Sequence, residues 1–223
     1  MSIQQNLLHI KSKLPEHVTL VAVSKTKPVS DLMEAYNAGQ RIFGENKIQE
    51  MVDKYEDMPK DIEWHMIGHV QRNKVKHMAE FVSLIHGVDN FKLLKEINKQ
   101  AKKHNRIINC LLQIKIASED SKFGMSPNEA SEIIQSKALS ELQHIKVVGL
   151  MGMATFTNNT NLVEKEFTLL KTTFDNLKEL QTVNCKLQTI SMGMSGDYQL
   201  AIDCGSNMIR VGSSIFGERN YNN

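Results

Sequence analysis

Cysteine is scarce in this chain. Its three, Cys110, Cys185 and Cys204, lie far apart in a sequence of 223 residues. No pair has metal-site spacing, and an odd count fits a disulfide framework poorly. A reducing compartment, the cytoplasm, is therefore expected. Long apolar runs are also missing: none approaches the roughly 20 residues of a membrane span. The N-terminal stretch is charged and lacks an apolar core, so it does not read as a secretion signal. A strong charge of either sign is absent. The formal net charge of +2 offers no field of the kind that gathers nucleic acid or anionic membrane. No linker, low-complexity segment or internal repeat divides the chain, so 1–223 is expected to form one domain.

What remains is an ordinary globular composition, 41% hydrophobic, enough for a full core. Apolar, β-branched runs predict eight strands, near 20–23, 41–44, 62–68, 81–86, 107–116, 145–151, 187–192 and 208–211. Helical spacing precedes the first strand, at 3–14, and separates the others. Ser30 is expected to cap the helix after strand one, and Pro127 to stand at the first position of another. Strands alternating with helices imply right-handed βαβ units. Eight of them suggest a single (β/α)8 TIM-type barrel with an extra N-terminal helix. An open doubly wound sheet is the rival, but the spaced glycines of its usual dinucleotide fingerprint do not follow strand one.

Strand one ends in Ser24-Lys25-Thr26-Lys27, and Pro28 bars its continuation. Side chains alternate along a strand, so Val21, Val23 and Lys25 share one face. Lys25 can be a Schiff-base lysine or an ordinary lysine reaching water. In a barrel of this kind the site lies at the C-terminal ends of the strands. Small, polar and glycine-rich segments stand there: Gly44-Glu45-Asn46, the run from Gly68-His69 to Lys74, Gly152 to Thr155, Ser191 to Asp197, and Arg210 to Ser214. Loops at Ser195-Gly196 and Gly212-Ser213 can offer backbone amides to a phosphate or simply cap helices. Arg210 interrupts an apolar strand and needs a partner, either a core carboxylate such as Asp203 or a ligand. His69 reads as a hydrogen-bonded residue beside a strand end or as a site residue. His65 and Trp64 read as core.

Ala22 to Pro28, Phe43 to Asn46, Trp64 to Lys74, Ser191 to Ser195 and Ile209 to Gly212 together resemble the pyridoxal phosphate homeostasis protein family. The resemblance runs from about residue 18 to Arg219. It implies the barrel of the alanine racemase N-terminal domain, with pyridoxal 5′-phosphate held by Lys25 as an internal aldimine. It implies phosphate contacts from the loops at Ser195 and Gly212-Ser213, and Arg210 facing the pyridine nitrogen. The expected cofactor-binding set is Lys25, Asn46, His69, Ser191, Met194, Ser195, Gly196, Arg210, Gly212 and Ser213, with no catalytic residue and no metal. The chain departs from the family where Gly196 replaces a common acidic residue, and where Asn207 and Ser213 replace threonine.

Three functions compete. The first is a carrier that holds and releases the cofactor, has pyridoxal phosphate-dependent apoenzymes as partners, and is a monomer or weak dimer. The second is a racemase-like enzyme, which would need a base opposite Lys25, with His69 or Tyr198 as nominees. Fold relatives that racemise alanine bring a tyrosine from an added domain, for which a chain ending at Asn223 leaves no room. The third is a cofactor-free aldolase using Lys25 and Glu45.

Overall fold

The alternation of strands and helices closes on itself. Strands β1 (Thr19–Val23), β2 (Ile42–Glu45), β3 (Glu63–Met66), β4 (Leu84–Val88), β5 (Ile108–Gln113), β6 (Ile145–Met151), β7 (Cys185–Ser191) and β8 (Met208–Val211) pair in sequence order, all parallel, and β8 returns to β1. This is the (β/α)8 barrel. The computed structural model describes residues 2–119, 123–180 and 182–218. Its helices are α1 (Ile3–Lys11), α2 (Val29–Asn37), α3 (Ile48–Asp57), α4 (Phe91–Lys103), α5 (Pro127–Gln135), α6 (Lys137–Ser140), α7 (Thr160–Lys178), α8 (Tyr198–Asp203) and α9 (Ser213–Phe216). A 3-10 helix, Arg72–His77, connects β3 to β4.

Side-chain alternation sorts the barrel into two layers. Val21, Leu84, Leu111, Met151 and Met208 pack together inside it. Leu20, Ala22, Phe43, Trp64, Ile85 and Leu112 face outward and join the helices in a second, larger core. Glycine permits the tightest approach. A Cβ on Gly68 would lie 2.4 Å from the Asn46 carbonyl oxygen, so the ends of β2 and β3 meet only because position 68 has no side chain.

Several boundaries differ from expectation for local reasons. The cap of α2 is Pro28, with Ser30 inside the first turn, because Pro28 holds extended backbone while its carbonyl already accepts from Asp31. Strand β4 begins three residues late, since Phe81 stacks on Tyr55 at 3.9 Å and Val82 closes a turn onto Met78. The segment from Gln71 winds as 3-10 rather than α. Strand β7 starts at Cys185, ahead of the apolar run at Leu187.

Candidate functional site

A cavity of about 640 Å³ opens at the C-terminal ends of the strands. Nine of the ten nominated residues line it: Lys25 beyond β1, Asn46 beyond β2, His69 beyond β3, Met194, Ser195 and Gly196 beyond β7, and Arg210, Gly212 and Ser213 on and beyond β8. Ser191 does not line it. Ser191 is fully buried at the end of β7 and holds Arg210 from beneath. Asn207 is also outside the cavity; its side chain bonds Ile190 N–H and the Gln188 carbonyl, stitching β7 to β8.

Arg210 is 4% exposed and faces the cavity from β8, in register with Val21 of β1. It pairs with no core carboxylate: Asp203 is exposed. Its guanidinium donates to Ser191 Oγ at 2.7 Å and to the Gly152 carbonyl at 3.0 Å. Burial pulls its pKa down to about 10, against the opposing charge of Asp197, so it is cationic at neutral pH. An arginine has five N–H donors and no acceptor, and two bonds leave donors to aim at a ligand. Below it a polar chain crosses the barrel. His86 Nδ1 lies 3.0 Å from Ser191 Oγ, and His86 Nε2 lies 3.1 Å from His65 Nδ1. His65 is buried, as its place in the strand leads one to expect, and its partner is a second buried histidine.

The two loops beyond β7 and β8 are tied by one hydroxyl. Ser195 Oγ accepts from the backbone N–H of Gly212 at 3.1 Å and of Ser214 at 3.4 Å. The N–H groups of Ser195, Gly196 and Ser213 bond to no other described residue. All three residues line the cavity, where such N–H groups are donors suited to an oxyanion. Gly193, at φ +96, makes the bend that presents this loop. Asp197 lines the same corner; burial raises its pKa, although the Met194 N–H and Arg210 counteract this.

The outer rim comes from longer loops. His69 pairs with Asp89 at 3.2 Å and stacks on Phe123 at 4.5 Å. Thr155, Phe123 and the exposed Phe156 also line the opening. Thr155 and Asp197 lie in segments expected at the strand ends but are not among the nominated residues, and Phe123 and Phe156 are not named there at all. Asp197 has a local signal, adjacency to the Ser195-Gly196 turn, but Phe123 and Phe156 lie on irregular loops with no periodicity to mark them. Tyr198 packs on the core at the start of α8 and does not reach the cavity. Glu45 points away from it, toward α3. Among the described residues, no group of histidine, cysteine or acidic side chains could hold a metal, and no helix is long and apolar enough to cross a membrane.

The alanine racemase N-terminal domain model matches residues 1–220. A pyridoxal phosphate homeostasis protein of Pasteurella multocida is 41% identical over 98% of this chain and 95% of its own. The chain belongs to the pyridoxal phosphate homeostasis protein family. Among solved members of that family's fold, PipY of Synechococcus elongatus PCC7942, determined without PLP, superposes with a TM-score of 0.90 at 35% identity, over 97% of this chain and all (100%) of PipY. The PLP-bound PipY structure superposes at 0.87 with 34% identity and the same coverage. This family member thus carries its lysine, arginine and amide-rich loops around a single opening.

Proposed function

We propose that this protein binds pyridoxal 5′-phosphate in the cytoplasm, with Lys25 joined to the aldehyde carbon as a Schiff base. In this reading it helps balance vitamin B6 and amino acids and catalyses no reaction of its own. One observation carries the proposal: Lys25, Arg210 and the free amides of Ser195, Gly196 and Ser213 all open into one cavity. These residues fit the group. A primary amine suits the aldehyde, a donor-only guanidinium suits an unprotonated pyridine nitrogen, and backbone N–H groups suit the phosphate. When bound, the cofactor supplies an electrophilic carbonyl and an aromatic ring. The protein supplies position and charge. The names of the relatives, and the PLP in PipY, support the same reading.

Racemisation needs a second base across the substrate from Lys25. Tyr198 is packed into the core, and His69 is bonded to Asp89 at the rim. Both facts favour a carrier. An aldolase would need Glu45 beside Lys25, and Glu45 sits behind the strand. Pyridoxal phosphate-dependent apoenzymes are the proposed recipients, and a monomer or weak dimer the proposed state.

The test is an absorbance scan of the cofactor-treated protein before and after borohydride, alongside Lys25→Ala. A near-ultraviolet to violet band that borohydride alters, and that Lys25→Ala lacks, is expected. The same band in Lys25→Ala would overturn the assignment. Turnover of an amino acid by the wild type would overturn the carrier reading alone.

A further inference from the structure

Lys25 lies in the turn between β1 and α2. The residue after it, Thr26, sits at φ 63, a left-handed backbone that a β-branched residue rarely adopts. Such strain persists only where neighbouring groups over-determine it. Those neighbours are three side chains from the end of β2 and the first turns of α3. The Thr26 N–H donates to Glu50 Oε1 at 2.5 Å. Ser24 Oγ donates to Glu45 Oε1 at 2.6 Å. Lys54 Nζ donates to the Ser24 carbonyl at 2.8 Å, to Glu45 at 2.8 Å and to Glu50 at 2.7 Å. Both residues flanking Lys25 are thus fastened to one cluster on the helix side of the strand, while Lys25 faces the cavity side.

The cluster is a poor device for stability alone. The Glu45 side chain is 0% exposed and that of Lys54 7%. Burying such ions costs several kcal/mol each, and well-packed apolar residues often serve as well. Glu45 Oε2 has no hydrogen-bond partner among the described residues. What apolar residues cannot supply is directional, charge-assisted bonding to a strained backbone.

We propose that Glu45, Glu50 and Lys54 are positioning residues for Lys25: they clamp its turn and present its amine to the cavity in one orientation. This rests on the Schiff-base reading of Lys25. In that reaction the Lys25 nitrogen bonds the aldehyde carbon, and the two amine protons leave with the carbonyl oxygen as water.

Three readouts test the clamp in Glu50→Gln, Lys54→Met and Lys54→Arg: hydrogen exchange of the Thr26 and Lys27 amides in cofactor-free protein, the rate of Schiff-base formation with pyridoxal 5′-phosphate, and the urea midpoint. Glu50→Gln and Lys54→Met should speed exchange at Thr26 and slow Schiff-base formation by at least about tenfold, since a small misplacement of a reacting group carries such a penalty. Lys54→Arg should recover part of both. Should Lys54→Met fail to fold, Glu50→Gln decides, because Glu50 is partly exposed. Lower urea midpoints with wild-type exchange and wild-type rates would overturn the clamp and leave a mere staple between α3 and the barrel. Equal spectra for wild type and Lys25→Ala would instead defeat the Schiff-base reading, and the exchange measurement would still judge the clamp.

Discussion

Arg210 donates to the Ser191 hydroxyl at 2.7 Å, and that bond heads a buried polar chain across the barrel. Arginine can only donate, so the serine oxygen accepts from it, and the same hydroxyl pairs with His86 Nδ1, 3.0 Å away. His86 Nε2 in turn pairs with His65 Nδ1 at 3.1 Å. Both rings stay neutral: burial lowers His65 to about 3, and burial, with His65 and Arg210 nearby, pushes His86 well below its ordinary value. Arg210 therefore has no cationic neighbour beneath it.

Ser191→Ala should break this chain. It leaves a buried guanidinium N–H and a buried imidazole without their shared partner. Each buried polar group left unsatisfied costs about 1–3 kcal/mol, so a fall in unfolding free energy of that order is expected in urea titration. The spectrum of bound cofactor should shift as well, because Arg210 loses its support.

The phosphate should supply much of the affinity. Its charge of between one and two meets the amides of Ser195, Gly196 and Ser213, and charge-assisted hydrogen bonds contribute about 1.5–3 kcal/mol each. Phosphate-free pyridoxal should bind at least about 100-fold more weakly, roughly 2.7 kcal/mol. Ser213→Ala should matter little, whereas Ser195→Ala, which removes the hydroxyl that ties the two loops, and Ser213→Pro, which deletes an N–H, should matter more. Equal titration curves for the two aldehydes would show that the loops only cap helices.

Glu166 of α7 gives a pH dependence. Its carboxylate accepts from Ser118 N–H at 2.9 Å and Thr155 N–H at 2.6 Å, and from both hydroxyls. Burial pushes its pKa up, but these four donors outweigh burial and hold it below the usual carboxylate value. A depressed folded-state pKa means stability that is complete above the unfolded value and lost as pH falls through the folded one. Glu166→Gln should therefore lower the urea midpoint at neutral pH, and its gap from wild type should narrow below about pH 4. A gap independent of pH would contradict this.

Gly193→Ala should destabilise the loop that carries Ser195. Gly193 sits at φ +96, and an added Cβ would lie 2.6 Å from the Ala201 side chain and 2.9 Å from Tyr198 Cα. Strained backbone of this kind costs on the order of 1–3 kcal/mol. Differential scanning calorimetry should record a lower Tm and weaker binding of inorganic phosphate.

The barrel was legible because its period is simple. Short apolar runs recur eight times, and Lys25 stands in phase with Val21 and Val23, so its direction followed from alternation alone. Nine cavity residues were legible because they sit next to strand ends in unusual glycine- and serine-rich company. Ser191 shared that company yet turned inward, since one residue of register separates a rim position from a buried one. The clamp under Lys25 was not legible. Glu50 and Lys54 look like helix-surface charges in one dimension and Glu45 like a strand-end carboxylate, and only the approach of α3 to the β1 turn makes them one cluster. Phe123 and Phe156 reach the opening from loops whose course no propensity dictates.

The single tryptophan offers a built-in optical reporter. Trp64 is wholly enclosed between β3 and the helices, against Phe43, and its indole N–H finds no acceptor among the described residues. Its emission colour is set by that dry packing layer and is insulated from the cavity on the other side of the strand. Filling the cavity should leave the emission maximum in place, while a violet-absorbing ligand drains intensity across the barrel wall. Loosening of the helices should move the maximum to the red. One fluorophore thereby separates occupancy from unfolding in a single spectrum.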